Sequence, residues 1–334
     1  MREIKTALNG LGRVNKNLLR ILADKRERLA QDYDLSFKIV AVADSSGIAT
    51  NGDGFDGIEL CAHKDNGHRV SDLPNSHGGK FNLAELDLIF EGSPVDLETG
   101  GTALTLAEDA LSHGISVVLA NKGPIVHACN KLRQLSVDNH CGLGYSATVC
   151  GGLPIINIGE RDMNASYISM LCGVFNGTSN FIFDALKNRV SFSEALKEAQ
   201  NAGAAEADPS LDTGGWDAAF KLLIIANSFM GVDITLDDIE VEGIENIAAD
   251  RLIAEDEVGH TIKLLASAVD GKYTVKPTVL PKQSFLGSID GWEMGVEIHS
   301  DIYGITYHKI YEREPIPTAA SMMRDAVNIF YQKM

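Results

Sequence analysis

The feature that most constrains the fold is a regular alternation of short apolar strands and longer amphipathic segments in the first half of the chain. Such an alternation is typical of a parallel sheet covered by helices on both faces. The predicted strands are residues 4–9, 37–43, 86–91, 116–120 and 144–147. The predicted helices between them are residues 14–33, 103–113 and 126–137.

The second half follows another pattern, and we place a domain boundary near Pro154. A strand at 167–174 is followed by predicted helices near 180–187, 193–202 and 216–230, then by strands at 273–279 and 294–300. Short strands separated by turn residues favour an antiparallel sheet. A last helix is predicted at 318–334, with Thr318 as its N-cap. Residues 45–80 break the alternation and predict a long surface excursion.

Bulk composition narrows the function classes. The 334 residues are enough for two domains, and the formal net charge of −17 argues against nucleic acid or an anionic membrane as the main partner. No stretch has the length and apolar character of a membrane span. Five cysteines without a Cys-x-x-Cys pair indicate neither a disulfide framework nor a zinc site, and they fit a reducing cytoplasm.

A glycine turn follows the first strand and opens the first helix. Gly10 permits a tight turn, and Gly12 lets a pyrophosphate approach the backbone at a helix N-terminus. Asn15 stands where this dinucleotide fingerprint has a third small residue. The pattern predicts an α/β protein with a Rossmann-like nucleotide-binding domain and a second α+β domain. The predicted cofactor-binding residues of this turn are Gly10, Leu11, Gly12, Arg13 and Val14.

Asp44, at the end of the second strand, is a further predicted cofactor residue. An acid there accepts hydrogen bonds from the adenosine ribose hydroxyls and repels a 2′-phosphate. The sequence therefore favours NAD over NADP without deciding between them.

Two later strands also end in sharp turns, where parallel sheets bind ligands. Lys122 in the second of these turns could neutralise a carboxylate or lie against a nicotinamide. The cofactor-binding residues predicted there are Gly92, Ser93, Pro94, Asn121 and Lys122.

The second half carries its own chemistry. A turn with Asn176, Gly177 and Thr178 offers amides, N–H groups and a hydroxyl for a carboxylate or a nicotinamide amide. Asp217 and Lys221 stand one turn apart on an otherwise apolar helix, so both project from one face. Burial lowers the pKa of a lysine and an aspartate tunes it, which makes this pair a candidate general acid/base.

These motifs together resemble homoserine dehydrogenase. The resemblance rests on the Gly-x-Gly turn, Ala-Asn-Lys at 120–122, the Asn-Gly-Thr turn at 176–178, the acidic loop at 205–212, and the helix with Asp217 and Lys221. It implies NAD(P)-dependent interconversion of L-homoserine and L-aspartate 4-semialdehyde in threonine, methionine and isoleucine biosynthesis. It also implies a cytoplasmic homodimer built through the second domain.

The resemblance further implies residue roles. Lys221 would exchange the proton at the substrate oxygen, and Asp217 would position that oxygen. Glu206 would bind the substrate ammonium, with Asp212 beside it, and Lys122 would contact substrate and nicotinamide. The implied domains are a nucleotide-binding domain at 1–154, a substrate-binding, catalytic and dimerisation domain at 155–315, and a C-terminal helix at 316–334 that packs back on the first domain.

Three departures qualify the resemblance. Family members often have an acid before Ala-Thr-Val and bind a monovalent cation nearby, whereas this chain has Ser146. The backbone carbonyls of Val149, Gly151 and Leu153 would form such a site here. Bulky, charged residues at 311–315 replace a glycine-rich turn near the cofactor. The length also predicts the short form of the enzyme, without a regulatory domain.

Two alternatives stay open at this stage. One is another two-domain dehydrogenase of amino-acid metabolism, acting on a different substrate. The other is a catalytically inactive, nucleotide-sensing paralogue.

Overall fold

The computed structural model of the chain describes residues 1–202, 209–313 and 315–331. It forms two compact units. Unit 1 contains Met1–Pro154 together with the described residues from 315 onward, and unit 2 is Ile155–Arg313. Within the described residues, no helix is both long enough and apolar enough to span a membrane.

Unit 1 alternates strands and helices. Its strands are Arg2–Asn9 (β1), Leu35–Asp44 (β2), Gly47–Thr50 (β3), Ser76–His77 (β4), Leu88–Glu91 (β5), Ser116–Leu119 (β6) and Leu143–Gly144 (β7). Its helices, up to Asp138, are Arg13–Asp24 (α1), Arg26–Tyr33 (α2), Gly57–Asp65 (α3), Gly101–Ser112 (α4) and Gly123–Asp138 (α5).

The seven strands form one sheet in the order β4-β3-β2-β1-β5-β6-β7. The pairs from β2 through β1, β5 and β6 to β7 are parallel. The central strands β5 and β6 are buried at every residue and mostly apolar, as a sheet covered on both faces requires, with Glu91 and Ser116 as their polar members. The strand order changes direction at β1, so ligands are expected at the carboxyl ends of β1, β2 and β5.

The surface excursion predicted at 45–80 is only partly right. Most residues of this stretch are exposed, but it is not a loop throughout, because it contains α3 and the strands β3 and β4, which extend the sheet in antiparallel fashion. Leu60 and Cys61 of α3 are buried, and Gly57 lies against Leu19 of α1. Periodicity could not reveal strands of four and two residues.

The single helix predicted at 14–33 is also wrong, because it divides into α1 and α2 at Lys25. Asp34 then ends α2 in a left-handed conformation, with φ of 56°. The break is not visible in the amphipathic pattern because residues on both sides of it pack into the same core.

The last described helix, Ile316–Phe330, completes unit 1. Its buried residues Ala319, Met322 and Phe330 belong to the same apolar core as Leu8 and Leu18. Pro315, and not Thr318, is the N-cap, so that part of the prediction is wrong. Pro317 lies in the first turn of the helix, where the fixed φ of a proline suits the helix and its missing N–H costs no hydrogen bond.

Unit 2 is built around a second sheet. Its strands are Ile168–Val174 (β8), Ile239–Val241 (β9), His260–Val269 (β10), Lys272–Pro281 (β11), Glu293–Ser300 (β12) and Gly304–Tyr311 (β13). Its helices are Ile155–Asn157 (α6), Gly177–Lys187 (α7), Phe192–Ala202 (α8), Ser210–Thr213 (α9), Trp216–Phe229 (α10) and Ala249–Glu257 (α11). The helix Ile316–Phe330 is therefore α12.

The second sheet has the order β13-β12-β8-β10-β11-β9. Its pairs are antiparallel except for β9 with β11. This confirms the antiparallel expectation, although β9, β10 and β13 were not predicted as strands. The β8 strand lies in the middle of the sheet and leads into the turn at Asn176.

Candidate functional site

The glycine turn after β1 has the geometry that its two glycines predict. Gly10 has a φ of +81°, and a Cβ there would lie 2.6 Å from the carbonyl oxygen of Gly92. Gly12 is the N-cap of α1, and a Cβ there would meet no atom within 4 Å. Gly10 therefore lets the strand ends approach each other, whereas Gly12 leaves open space before the helix N-terminus.

Asn15 is fully buried and belongs to this turn. Its Nδ2 donates to the carbonyl oxygen of Gly10 at 2.7 Å and to that of Asn9 at 3.1 Å. A Cβ on Gly92 would lie 2.9 Å from the same Nδ2. The Asn15 amide thus stabilises the turn by two hydrogen bonds, and the lack of a side chain on Gly92 leaves space for that amide.

A buried carboxylate joins the ends of β1 and β5. Glu91 is 1% exposed and accepts hydrogen bonds from Asn9 Nδ2, from Ser93 N and from Ser93 Oγ. Sequence reasoning did not select Glu91 or Asn9. The signal in the sequence was an acid as the last residue of an apolar strand, at the carboxyl end where parallel sheets bind ligands.

The end of β6 is attached to the same region by Asn121. Its Nδ2 donates to the carbonyl oxygen of Pro94 at 3.1 Å, and its Oδ1 accepts from Gly123 N at 2.9 Å. Asn121 is 1% exposed, so it shapes the loop from inside. Lys122 follows it as the half-buried N-cap of α5.

Asp44 at the end of β2 lies in a polar cluster. It accepts from Lys64 Nζ at 2.7 Å, from Ser46 N at 2.8 Å and from Val70 N at 3.2 Å. Burial raises the pKa of this carboxyl, but the hydrogen bonds from Lys64, Ser46 and Val70 outweigh that effect and hold the pKa at about 2. Asp44 is therefore ionised at neutral pH.

These features fit a dinucleotide. The N-terminus of α1 carries no side-chain cap, and the space above Gly12 would admit a pyrophosphate to its N–H groups. Arg13, the first residue of α1, is exposed beside that opening. The residues that would hold the cofactor are the predicted ones of the turn at 10–14.

In unit 2, Gly215 sets the start of α10. Gly215 is its N-cap with a φ of +82°, and a Cβ there would lie 3.2 Å from Val241 Cγ1. The helix then buries a continuous run from Ala218 to Ser228, with the exception of Lys221. A lysine in this setting is removed from most solvent.

Lys221 and Asp217 form a close ion pair on α10. Lys221 Nζ lies 2.6 Å from Asp217 Oδ2, and the two side chains are only 12% and 16% exposed. Lys221 also donates to the carbonyl oxygen of Phe175, at the end of β8, at 2.7 Å. That second contact places the ammonium beside the Asn176 turn, and no local pattern in the sequence predicts it.

The Asn176 turn lies against two carboxylates. Asn176 Nδ2 donates to Asp212 Oδ1 at 2.7 Å and to Asp217 Oδ2 at 3.2 Å. Thr178 Oγ1 donates to Asp212 Oδ2 at 3.3 Å. The predicted residues Asn176, Thr178, Asp212, Asp217 and Lys221 thus form one connected network.

Asp212 is the member whose protonation is most affected. Burial raises the pKa of its carboxyl and the neighbouring Asp217 raises it further, while the hydrogen bond from Asn176 and the charge of Lys221 act in the opposite direction. The charges of Asp217 and Lys221 therefore act on the pKa of Asp212 in opposite directions, and Asn176 bridges the two carboxylates.

Gly177, the first residue of α7, packs against the turn at Gly291, so a side chain there would be in van der Waals contact with that turn. A Cβ there would lie 3.4 Å from the carbonyl oxygen of Gly291 and 3.9 Å from Trp292 Cα. The predicted ammonium ligand Glu206 lies outside the described residues.

The unusual turn at 311–315 is partly accounted for within unit 2. Glu312 N donates to the carbonyl oxygen of Trp292 at 3.0 Å, and the Arg313 guanidinium lies 5.7 Å from the centre of the Trp292 ring. Glu314 lies outside the described residues.

Comparison with known proteins places this site in a family. The family model described as homoserine dehydrogenase matches residues 154–327. Homoserine dehydrogenase of Methanocaldococcus jannaschii is 32% identical over 327 residues, covering 96% of this chain and 97% of that protein. The NAD(+)-dependent homoserine dehydrogenase of Pseudomonas canavaninivorans is 29% identical, covering 98% of this chain and 97% of that protein.

Solved structures agree with these relatives. A crystal structure from Archaeoglobus fulgidus, provisionally named homoserine dehydrogenase, has a TM-score of 0.90 and 32% identity, covering 98% of this chain and all of that one. The match confirms the α/β architecture with a Rossmann-like first unit and a second sheet. With the family model and the relatives above, it establishes that the chain belongs to the homoserine dehydrogenase family.

Proposed function

We propose that this chain catalyses the NAD(P)-dependent interconversion of L-homoserine and L-aspartate 4-semialdehyde, the step that the family contributes to threonine and methionine biosynthesis. The observation that carries the proposal is the Lys221–Asp217 ion pair, 2.6 Å long and largely removed from solvent. When bound, the nicotinamide supplies or accepts the hydride. A proton must then be exchanged at the substrate oxygen, and Lys221 is the group that can do so.

The protein residues divide the remaining work. In the reducing direction the Lys221 ammonium donates a proton to the aldehyde oxygen while hydride reaches the carbon, which leaves the lysine as a neutral amine. In the oxidising direction that neutral amine accepts the hydroxyl proton of homoserine while hydride leaves the carbon. Asp217 holds Lys221 Nζ in place through their 2.6 Å contact. The substrate carries an ammonium and a carboxylate, so it needs one anionic and one cationic contact. We assign these to Glu206 with Asp212, and to Lys122.

The test is spectrophotometric. NADH and NADPH oxidation is followed with aspartate semialdehyde and with other small aldehydes of the same length. We expect turnover with aspartate semialdehyde and a kcat/KM at least about 100-fold lower for aldehydes without the ammonium group. Absence of turnover with aspartate semialdehyde under any cofactor would overturn the proposal.

We further propose that NAD is the preferred cofactor. The support is Asp44, whose carboxylate is ionised at neutral pH and would repel a 2′-phosphate. Lys64, 2.7 Å away, partly offsets that repulsion. Asp44→Ser should therefore lower the ratio of kcat/KM for NAD to that for NADP by about 10-fold, or roughly 1.4 kcal/mol. A wild-type preference for NADP would contradict the assignment.

The functional unit is proposed to be a homodimer formed through unit 2. The support is β13, a strand at the edge of the second sheet, which exposes Ile305, Tyr307 and Tyr311 on one face at 52%, 52% and 64%. An edge of this kind is normally covered. Sedimentation should give a dimer, and Ile305→Glu should give a monomer. A wild-type monomer at micromolar concentration would refute the dimer.

A cytoplasmic location is proposed on the cysteines. Among the described residues, none of the cysteines forms a disulfide bond; they are Cys61, Cys129, Cys141, Cys150 and Cys172. Thiols persist in reducing compartments. Cell fractionation tests this location, and recovery in an extracytoplasmic fraction would contradict it.

A further inference from the structure

The segment that precedes Pro154 is held by α12 at two points. At one end, Asp325 accepts hydrogen bonds from Ser146 N and Ser146 Oγ, both at 2.8 Å. At the other end, Arg324 Nη1 donates to the carbonyl oxygen of Gly152 at 3.3 Å. Adjacent residues of one helix thus bind opposite ends of the segment 146–152.

A hydroxyl relay strengthens the second contact. Ser321 Oγ donates to the carbonyl oxygen of Gly151 at 2.8 Å and accepts from Arg324 Nη2 at 3.0 Å. Ser321 is completely buried. Two successive backbone carbonyls therefore face a positive charge, one directly and one through the serine.

The backbone of this segment needs such support. Cys150 and Gly151 have φ values of 49° and 54°, so two consecutive residues are left-handed, and the first of them is not a glycine. A conformation of this kind persists only where its surroundings determine it. Ser146, Ser321 and Arg324 provide those surroundings.

The donor set does not fit the monovalent cation expected beside Val149, Gly151 and Leu153. The Gly151 carbonyl is already bound by Ser321, and a guanidinium lies on the neighbouring Gly152 carbonyl. A cation bound to the Gly151 carbonyl would lie close to the Arg324 guanidinium, and the two positive charges would repel each other. The acid that family members often have at this position, which could balance the charge of a bound cation, is Ser146 in this chain. The Ser146 hydroxyl donates its hydrogen bond to Asp325.

We propose that Arg324 takes the place of the monovalent cation, so that this chain fixes its 149–153 turn with a built-in charge and needs neither Na⁺ nor K⁺. Arg324 is thereby a positioning residue. It acts on the backbone that leads to Pro154 and touches no reacting atom. The inference about activity rests on the proposed function, whereas the inference about stability does not.

The test exchanges cations at constant ionic strength. Thermal unfolding midpoint and KM for homoserine are measured in about 0.1 M NaCl, KCl or tetramethylammonium chloride, since equal ionic strength keeps screening equal. For the wild type we expect the same midpoint and KM in all three salts. Arg324→Met should lower the midpoint and raise KM about 5-fold or more in tetramethylammonium, with substantial recovery in Na⁺ or K⁺.

Two further variants keep the outcome decisive. Arg20→Met removes a surface arginine that pairs with Asp65 at 2.7 Å, and it should show no dependence on the cation. If Arg324→Met fails to fold, Ser321→Ala removes the relay while retaining the charge, and it should lower the midpoint equally in all three salts.

Three results would overturn the proposal. The first is a wild-type midpoint or KM that improves several-fold with Na⁺ or K⁺. The second is an Arg324→Met variant that matches the wild type in tetramethylammonium. The third is a loss in that variant that neither ion restores, because a deleted charge should be replaceable. Lack of turnover combined with a cation-independent midpoint would instead refute the proposed function alone.

Discussion

The glycine turn of unit 1 and the α10 network of unit 2 solve different problems. The turn presents backbone to a ligand, and buried side-chain amides stabilise it. Asn15 donates to the carbonyl oxygen of Gly10, and Asn121 donates to that of Pro94. The α10 network presents charged side chains, with Lys221, Asp217 and Asp212 connected through Asn176. The first region depends on shape and the second on charge, so substitutions should affect them in different ways.

The largest expected effect is on the charged region. Lys221→Met removes the proton donor and should lower kcat by about 10²- to 10⁴-fold, while the Kd for NADH stays within about 2-fold. Steady-state assays measure kcat, and fluorescence titration measures the Kd for NADH. Lys187→Met is the matched control, since it breaks a 3.2 Å pair with Asp184 on α7. A parallel loss of NADH binding would make Lys221 structural.

In the glycine turn, substitutions of Gly10 and Gly12 should affect different quantities. Gly10→Ala forces a side chain into a left-handed position 2.6 Å from a carbonyl oxygen, and it should reduce the free energy of unfolding by about 2–4 kcal/mol. Gly12→Ala meets no neighbour, so it should leave stability unchanged and raise the KM for the cofactor about 10-fold. Urea unfolding and steady-state kinetics distinguish them. Equal effects on stability would contradict the assignment of Gly12 to ligand approach.

Asn15 tests whether an unusual residue strengthens or weakens the turn. Asn15→Ala installs the small residue that the dinucleotide fingerprint normally has, yet two carbonyls lose their donor. We expect a loss of about 1–3 kcal/mol in the free energy of unfolding. Asn17→Ala on the same helix is the control, because it removes a half-buried side chain that accepts a 3.3 Å hydrogen bond from Arg20 Nη1. A stabilised Asn15→Ala would show that the asparagine is a defect.

The smallest effect should come from the pH dependence of the charged region. Burial and Asp217 raise the pKa of Asp212 above its ordinary value of 3.8. The folded protein therefore retains a proton that the unfolded chain releases, and the free energy of unfolding falls as pH rises from 3.8 through the raised pKa. Asp212→Asn lacks this decline, so its stability relative to the wild type should increase with pH in that window. Urea unfolding across the window measures the gap, and a gap independent of pH would contradict the shift.

The same contrast explains what the sequence could predict. The Gly10 turn and the Asp217–Lys221 pair are local patterns, because the residues of each lie within four positions of one another. Spacing in the sequence was therefore enough to predict the geometry of both. The link from Asn176 to Asp212 joins residues far apart in the chain, and only the fold brings them together. Lys221 bonding to the Phe175 carbonyl was invisible for the same reason.

The fold shows a similar division. The long strands β1 and β2 were predicted to within two residues at each end, because each contains a buried and mostly apolar stretch, at residues 6–8 and 39–43. The short β3 and β4 were missed, since their place depends on pairing with a neighbouring strand and not on periodicity. Thr318 was a reasonable cap by residue type, but the proline at 315 begins the helix one turn earlier.

The return of α12 to unit 1 has a consequence for how the protein is made. Arg2 in the first strand lies 5.0 Å from the Phe330 ring in the last described helix, and Met322 fills the core beside Leu18. During synthesis, unit 1 emerges first from the ribosome but cannot close its core until all of unit 2 has followed. The nascent chain therefore carries an exposed apolar face on its leading half for most of translation, and unit 2 is the part that can finish folding first.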